Sequence, residues 1–172
     1  MATLDDSSWD YEAIVEATAR TRQGEATLSS SVTTKALITF ELGLLAFAID
    51  IRYARKVDQY HTITPLPKAP FFVLGVFYQR AELITIIDLC ALLALPSPLA
   101  LPRGMLLLRD GDRQFGVPTR GLPETLQVKP EEIADCPEDH DQRALLEGQV
   151  SGRMLLDAPA LFEHLARCCH ER

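Results

Sequence analysis

The sequence predicts a mainly β protein: two small β-barrels of about five short strands each, side by side, with short helices and an N-terminal extension. Three observations carry this prediction: hydrophobic residues that alternate from Ala36 onward, an internal duplication, and a proline-rich break between the two halves. The chain has 172 residues, of which 47% are hydrophobic, so it is long enough to bury a core.

The first hairpin is predicted from alternation around a glycine. Ile38, Phe40 and Leu42 fall on one face of a strand, and residues 45–51 alternate again after Gly43. Residues two apart share one face of a strand, and two alternating runs joined by a glycine-containing turn are typical of a β-hairpin.

The second half of the chain repeats the order of the first. Gly75 precedes a turn, a strand that ends at Asp88, and an apolar helix; Gly148 precedes the same series, with Asp157 at the strand end. Neither half has much core of its own, so we expect the two units to pack together and share buried surface.

These patterns divide the chain into a leader, residues 1–34, and a domain, residues 35–172. Within the domain, we expect two barrel subdomains split near residues 96–103, where PSPLALP places three prolines in seven residues. A C-terminal helix is predicted over residues 158–169.

The leader carries Trp9, Ala13, Ile14 and Ala17 at helical spacing, followed by the Ser/Thr-rich stretch TLSSSVTT, which is typical of a linker. Two interpretations stay open, a short docking helix and a mostly disordered segment. Trp9 is the only tryptophan of the chain.

Charge and hydropathy exclude several classes of protein. The net charge is −7 and no basic stripe is present, which argues against nucleic-acid binding. The start of the chain is acidic and lacks the pattern of a signal peptide, and the apolar run Leu83 to Leu95 is interrupted by Asp88. We therefore expect a cytoplasmic protein with reduced cysteines and no membrane insertion.

No catalytic motif or cofactor fingerprint is found, so we expect no enzymatic activity, no cofactor and no metal. Asp88 and Asp157 hold equivalent places in the repeat, which favours helix capping over a catalytic carboxylate pair. His164 and Cys168 share a helix face, but a closed metal site usually has a second pair of ligands.

Residues 69–93, APFFVLGVFYQRAELITIIDLCALL, resemble the signature of the CheW-like family. The matching positions are Pro70, Phe72, Val73, Gly75, Val76, Arg80, Ile87, Asp88 and Leu89. The resemblance extends over about residues 36–166 and implies two five-stranded SH3-like barrels.

The resemblance also implies a non-catalytic adaptor in a chemosensory two-component pathway. In this family, one barrel binds the regulatory domain of a CheA-type histidine kinase. A groove between the barrels binds the cytoplasmic tip of a methyl-accepting chemoreceptor.

The chain departs from the family pattern at the turn Tyr78-Gln79-Arg80-Ala81, where relatives end in glycine. Lys56 and Arg120 stand where relatives carry acidic residues. Either these changes adapt the chain to its own receptor or kinase, in an alternative pathway such as one for type IV pili, or they are neutral drift.

The candidate partner-binding residues include the aromatic residues beside Arg80, the start of a groove-side strand, and the positions aligned with family contacts. Phe77 and Leu106 are expected to belong to the core on alternation alone. The full set is Ala54, Lys56, Gly75, Phe77, Tyr78, Arg80, Ala81, Met105, Leu106, Arg120 and Thr125.

Two rival functions stay open. One is a small-molecule sensor that uses the cleft between the barrels. The other is an adaptor-like inhibitor that binds the kinase without coupling it to a receptor, because the family turn has changed at Ala81 and Lys56.

Overall fold

A computed structural model describes residues 34–96, 101–136 and 143–170. The leader prediction therefore lies almost entirely outside the described residues. Eleven strands are seen in the described part: β1 Lys35–Leu42, β2 Leu45–Asp50, β3 Ala54–Gln59, β4 Val73–Gln79, β5 Glu82–Ile87, β6 Gly104–Asp110, β7 Arg113–Thr119, β8 Glu124–Val128, β9 Ile133–Ala134, β10 Leu146–Val150 and β11 Arg153–Leu156.

Two α-helices and three 3-10 turns complete the described part. Helix α1 spans Leu89–Leu92 and helix α2 spans Ala158–His170, while the 3-10 turns cover Ile51–Tyr53, Pro130–Glu132 and Arg143–Leu145. In these residues no helix has both the length and the hydropathy needed to cross a bilayer.

The strands form two sheets, which confirms the mainly β prediction. Sheet A has the order β8-β1-β2-β11-β10-β9, and sheet B has the order β3-β6-β7-β5-β4. Sheet B has the five strands expected, and sheet A has a sixth because the two-residue strand β9 pairs with β10.

The two halves of the chain exchange hairpins, so the sheets are not divided near residues 96–103 as the proline-rich break suggested. The hairpin β1–β2 lies in sheet A with strands of the second half, and β6–β7 lies in sheet B with strands of the first. The exchange begins directly after β2, where the Asp50 carboxylate accepts a hydrogen bond from the Arg52 N–H (2.9 Å). The resulting 3-10 turn Ile51–Tyr53 leads the chain from sheet A into β3 of sheet B.

Three hydrophobic clusters hold this arrangement together. One lies within sheet A, around Leu37 and Leu155, and one within sheet B, around Phe77 and Ile86. The largest joins both sheets and helix α2, with members such as Phe47, Leu106 and Phe162. The expected sharing of buried surface is thus confirmed, and most of the hydrophobic stabilisation lies between the barrels.

The predicted duplication is visible in the detailed geometry. Gly75 and Gly148 both follow a register shift in their hairpins, and a Cβ atom at either would collide with a neighbouring backbone carbonyl. Two equivalent glycines are therefore required by equivalent close approaches.

The two repeat aspartates cap their helices, as predicted. Asp88 accepts a hydrogen bond from the Ala91 N–H and Asp157 from the Ala160 N–H, both at 3.0 Å. Each side chain satisfies an N–H that the first helical turn leaves without a backbone partner.

Candidate partner-binding surfaces

A groove of about 220 Å³ lies where the two sheets meet. Sheet A contributes Leu42 and Gly43 at the β1–β2 turn. The other wall belongs to sheet B and its connections and includes Tyr60, Leu74, Ile87, Cys90, Pro118 and Arg120. Most of these side chains are apolar, and such a concave surface favours an apolar partner.

Arg120 links the two walls of the groove. Its backbone N–H donates to the Glu41 carbonyl (2.9 Å) and its guanidinium donates to the Gly43 carbonyl (3.3 Å). The guanidinium also lies 3.9 Å from the Glu41 carboxylate, and both side chains are more than half exposed. Arg120 therefore ties the end of β7 to the β1–β2 hairpin and carries a positive charge at the edge of the groove.

Cys90 lines the groove but is unsuited to covalent chemistry. It is buried, and burial together with the nearby Asp88 charge raises the pKa of its thiol to about 11. A thiol with so high a pKa stays protonated near neutral pH and is a poor nucleophile.

A second surface, which we call the hairpin face, consists of Tyr78, Leu83 and the turn residue Arg80. Tyr78 and Leu83 are direct cross-strand partners, so their side chains lie on one face of the sheet, and they are 69% and 62% exposed. Exposed aromatic, leucine and arginine side chains side by side are typical of a protein interface.

An ion pair borders the hairpin face. Arg55 of β3 donates to the carboxylate of Glu82 (2.8 Å) and to the side-chain oxygen of Gln114. The Arg55 hydrogen bond, the Gln114 hydrogen bond and the Arg55 charge outweigh the effect of desolvation and lower the pKa of Glu82. Both charged side chains are substantially exposed, so this ion pair contributes little to the stability of the fold and mainly places charged groups beside the hairpin face.

The β4–β5 turn is left-handed at both central residues although neither is glycine. Arg80 and Ala81 both have positive φ (47° and 66°) in a two-residue connection, as a type I′ turn requires. The equivalent turn between β10 and β11 uses Ser151 (φ 48°) and Gly152 (φ 74°). Ala81 therefore adopts the left-handed conformation that glycine adopts more easily.

Replacing Ala81 by glycine is expected to stabilise the protein by about 0.5–1 kcal/mol, since relief of the left-handed penalty exceeds the added entropy of the unfolded chain. The matched replacement of Gly152 by alanine is expected to destabilise it by about 1 kcal/mol. Urea unfolding of the two variants checks both signs. A loss of stability in Ala81→Gly would contradict the strained turn.

Lys56 does not offer a free charge to a partner, contrary to the sequence prediction. Its side chain is 15% exposed and its ammonium group lies 2.7 Å from the Asp58 carboxylate, which also accepts from the Gln79 side chain (2.9 Å). The His61 ring stacks on Phe77 at 4.7 Å between centroids, with Nε2 3.4 Å from Asp58. This cluster joins β3 to β4 and so helps to close sheet B.

Desolvation alone would raise the pKa of Asp58, but the hydrogen bonds from Lys56, Gln79 and the Gln59 N–H, with the Lys56 charge, hold it at about 2. A carboxyl whose pKa is depressed on folding stabilises the protein above its unfolded value and loses that contribution as pH falls through the folded value.

We expect Asp58 to contribute on the order of 2 kcal/mol above about pH 4 and to lose it as pH falls toward about 2. Urea unfolding at about pH 5 and about pH 2.5 checks this, with Asp58→Asn as the comparison. The variant should lose less stability on acidification than the unmodified chain. Equal losses would show that Asp58 is not responsible.

Several predicted contact residues are buried and belong to the cores. Met105 and Leu106 have no exposed surface, so the expectation that they contact a partner is wrong for this conformation. Their strand, β6, lies between two clusters and buries both faces. Ala54, Gly75 and Phe77 are likewise buried, as alternation had suggested for Phe77.

Other candidates remain at the surface. Tyr78, Arg80 and Ala81 lie together on or beside the hairpin face, Arg120 lies at the groove, and Thr125 lies apart on β8 of sheet A. Sequence reasoning missed the exposed apolar residues near them: Leu44, Leu83, Leu101 and Leu122. Only Leu83 had a usable signal, since the predicted hairpin register places it opposite Tyr78.

The histidine and cysteine near the C-terminus contact each other, with 3.6 Å between Cys168 Sγ and His164 Nε2. Among the described residues no group of three or more His, Cys, Asp or Glu side chains is placed to hold a metal ion.

The two-sheet fold agrees with a known family. The family model for the CheW-like domain matches residues 36–166. The chain belongs to the CheW-like family. The resemblance seen in residues 69–93 is thereby confirmed.

Curated CheW relatives are distant. The chain is 28% identical over 107 residues to the chemotaxis protein CheW of Treponema pallidum, covering 59% of this chain and 63% of the relative. It is 27% identical over 124 residues to the chemotaxis protein CheW of Rhizobium meliloti, covering 69% of this chain and 80% of the relative. The chain thus spans less than two thirds of the Treponema protein's length.

A solved structure shares the CheW-like fold. The crystal structure of the scaffolding protein TtCheW from Thermoanaerobacter tengcongensis has a TM-score of 0.61, at 21% identity, over 72% of this chain and 88% of that chain. The two sheets are therefore the pair of small barrels that the sequence predicted.

Proposed function

We propose that this CheW-like chain is a non-catalytic cytoplasmic adaptor that couples chemoreceptors to a CheA-type histidine kinase. The observation that carries the proposal is the CheW-like domain itself, which offers two separate surfaces, the hairpin face and the groove. An adaptor must hold two partners at once, so it needs two surfaces that do not overlap.

We assign the kinase regulatory domain to the hairpin face. Tyr78 and Leu83 expose large apolar side chains, and Arg80 adds a charged group at the same end of the hairpin. Aromatic and arginine residues dominate the binding energy of many interfaces, so these three residues are the expected anchors.

We assign the receptor tip to the groove. The groove is mainly apolar and has Arg120 at its edge, which suits an amphipathic helix with an acidic residue. Two charge changes were noted in the sequence. The charge of Lys56 is paired with the Asp58 carboxylate inside sheet B, so only the change at Arg120 supports the proposal of a distinct partner. The proposal of an alternative pathway, such as one for type IV pili, therefore rests on Arg120.

Calorimetry with the regulatory domain of a CheA kinase from the same genome tests the kinase assignment. Tyr78→Ala and Arg80→Glu are each expected to weaken binding about tenfold or more, as loss of an interface anchor does. The matched control is Leu44→Asp, which alters an exposed apolar residue beside the groove.

The receptor assignment predicts the reverse pattern for a chemoreceptor tip fragment. Leu44→Asp should weaken its binding, and Tyr78→Ala should leave it unchanged. An absence of binding to every CheA kinase of that genome would overturn the adaptor function and leave only the fold.

A further inference from the structure

We propose that the acidic N-terminal segment of this chain, residues 5–17, docks in the groove between the barrels and competes with the partner for it. The docking itself is independent of the proposed function, and its regulatory consequence rests on that function. Three observations carry the inference: the chemistry of the groove, the chemistry of the segment, and the length of chain that joins them.

The groove offers more apolar surface than its lining alone. Leu44, Leu101 and Leu122, which are 96%, 87% and 63% exposed, each lie within two residues of a lining residue. Exposed leucines that neighbour groove residues in the chain add apolar surface that an occupant can cover. An occupant must therefore present large apolar side chains.

The groove carries side chains of both signs. Arg120 lies in the lining and the exposed Arg103 follows the lining residue Pro102. Asp88 also lines the groove and accepts a hydrogen bond from the Ala91 N–H of helix α1, and the Glu41 carboxylate lies 3.9 Å from Arg120. Acidic side chains of an occupant would therefore pair with Arg103 and compete with Glu41 for Arg120.

The N-terminal segment has the matching composition. Trp9, Ala13, Ile14 and Ala17 recur at helical spacing, and Trp9 is a large apolar anchor of the kind that fills interface pockets. Residues 1–17 contain acidic side chains and no Lys or Arg: Asp5, Asp6, Asp10, Glu12 and Glu16. The segment thus offers apolar side chains to the groove lining and acidic side chains to Arg103 and Arg120.

The connecting chain is long enough. Residues 18–34 span up to about 55 Å when extended, whereas β1 is about 25 Å long from Lys35 to Leu42. The segment therefore reaches from the start of β1 to the groove at its far end. A tethered segment has an effective concentration in the millimolar range, so weak contacts suffice to occupy the site.

The consequence is competition between the docked segment and a partner for the same groove. If the segment occupies the groove for most of the time, the apparent affinity for a groove partner is the intrinsic affinity multiplied by the fraction of molecules whose groove is free. Under the proposed function, the receptor would have to displace the segment.

Because Trp9 is the only tryptophan, its fluorescence reports on the segment in the intact chain. We expect its acrylamide quenching constant to be at least about threefold smaller in the native protein than in guanidinium, because a docked indole is shielded from solvent. The constant should not depend on protein concentration, since the segment binds its own groove.

Two variants and one control locate the docking site. Quenching should rise toward the unfolded value in Arg120→Glu and in the double variant Leu44→Asp/Leu122→Asp. It should stay unchanged in Leu83→Asp, which places a charge on the hairpin face instead. All four positions are largely exposed, so the variants are expected to fold, which circular dichroism checks.

Three results would overturn the proposal. The first is a Trp9 that is quenched equally in native and unfolded protein. The second is protection that no groove variant removes, which would place the segment elsewhere. The third is protection that grows with protein concentration, which indicates a second copy. No partner is used in the experiment, so its failure is distinct from failure of the kinase and receptor binding tests.

Discussion

Replacing Gly75 by alanine is expected to destabilise the protein by about 3 kcal/mol or more, because two separate penalties combine. Gly75 has φ +146°, which side chains rarely adopt, and an added Cβ would collide with the Thr64 carbonyl. That carbonyl accepts from the Val76 N–H and the Thr64 N–H donates to the Val76 carbonyl, both at 2.8 Å. The collision would break the bridge that closes sheet B beside the groove.

Gly111→Ala is the matched control. Gly111 also has positive φ (60°), in the β6–β7 turn, but an added Cβ there meets no atom within 4 Å. Its replacement should cost only about 1 kcal/mol, the penalty of the left-handed conformation alone. Urea unfolding of both variants measures the difference, and equal losses would show that the collision at Thr64 is relieved without cost.

The repeat and its hairpins could be predicted from the sequence because local patterns determine them. Alternation places Ile38 and Phe40 on one face, and these two residues do lie in the inter-barrel core, while Leu37 lies in the core of sheet A. The caps at Asp88 and Asp157 were also predictable, since a capping side chain acts within three residues of itself.

The exchange of hairpins could not be predicted in the same way. The alternation of apolar and polar residues predicts which face of the β1–β2 hairpin is apolar, but it does not predict which sheet the hairpin joins. That choice depends on the parallel pairing of β2 with β11, more than a hundred residues later in the chain. The proline-rich break suggested two consecutive barrels, and this pairing reverses that interpretation together with the other pairings between the halves, β1 with β8, β3 with β6 and β5 with β7.

The candidate site was predicted in part. Tyr78 and Arg80 were selected because a family turn and an aromatic residue stand together in the sequence, and both are exposed; their contact with a partner stays a prediction. Met105 and Leu106 were misplaced because β6 is covered on both faces, which a single strand pattern does not reveal. Lys56 was misjudged because its pairing with Asp58 was overlooked, although residues two apart share one face of a strand.

Replacing Phe162 by alanine is expected to cost about 3–5 kcal/mol, a large part of the stability of a single domain. Phe162 of helix α2 is 2% exposed and its ring lies 4.8 Å from that of Phe115 in sheet B and 6.2 Å from that of Tyr53. Tyr53 belongs to the 3-10 turn that leads from sheet A to sheet B. The ring therefore fills the core at the point where the chain passes between the barrels.

The control for this prediction is Phe71→Ala, since Phe71 is 81% exposed and should cost no more than about 0.5–1 kcal/mol. Urea unfolding with one transition is expected for both variants, because the inter-barrel cluster is the largest core and ties the sheets together. A cost near 1 kcal/mol for Phe162→Ala would contradict the role of this ring in the inter-barrel core. Two separate unfolding transitions in the unmodified chain would show that each barrel is stable by itself. After either result, the exchanged hairpins and not helix α2 would be the feature that holds the two barrels together around the groove.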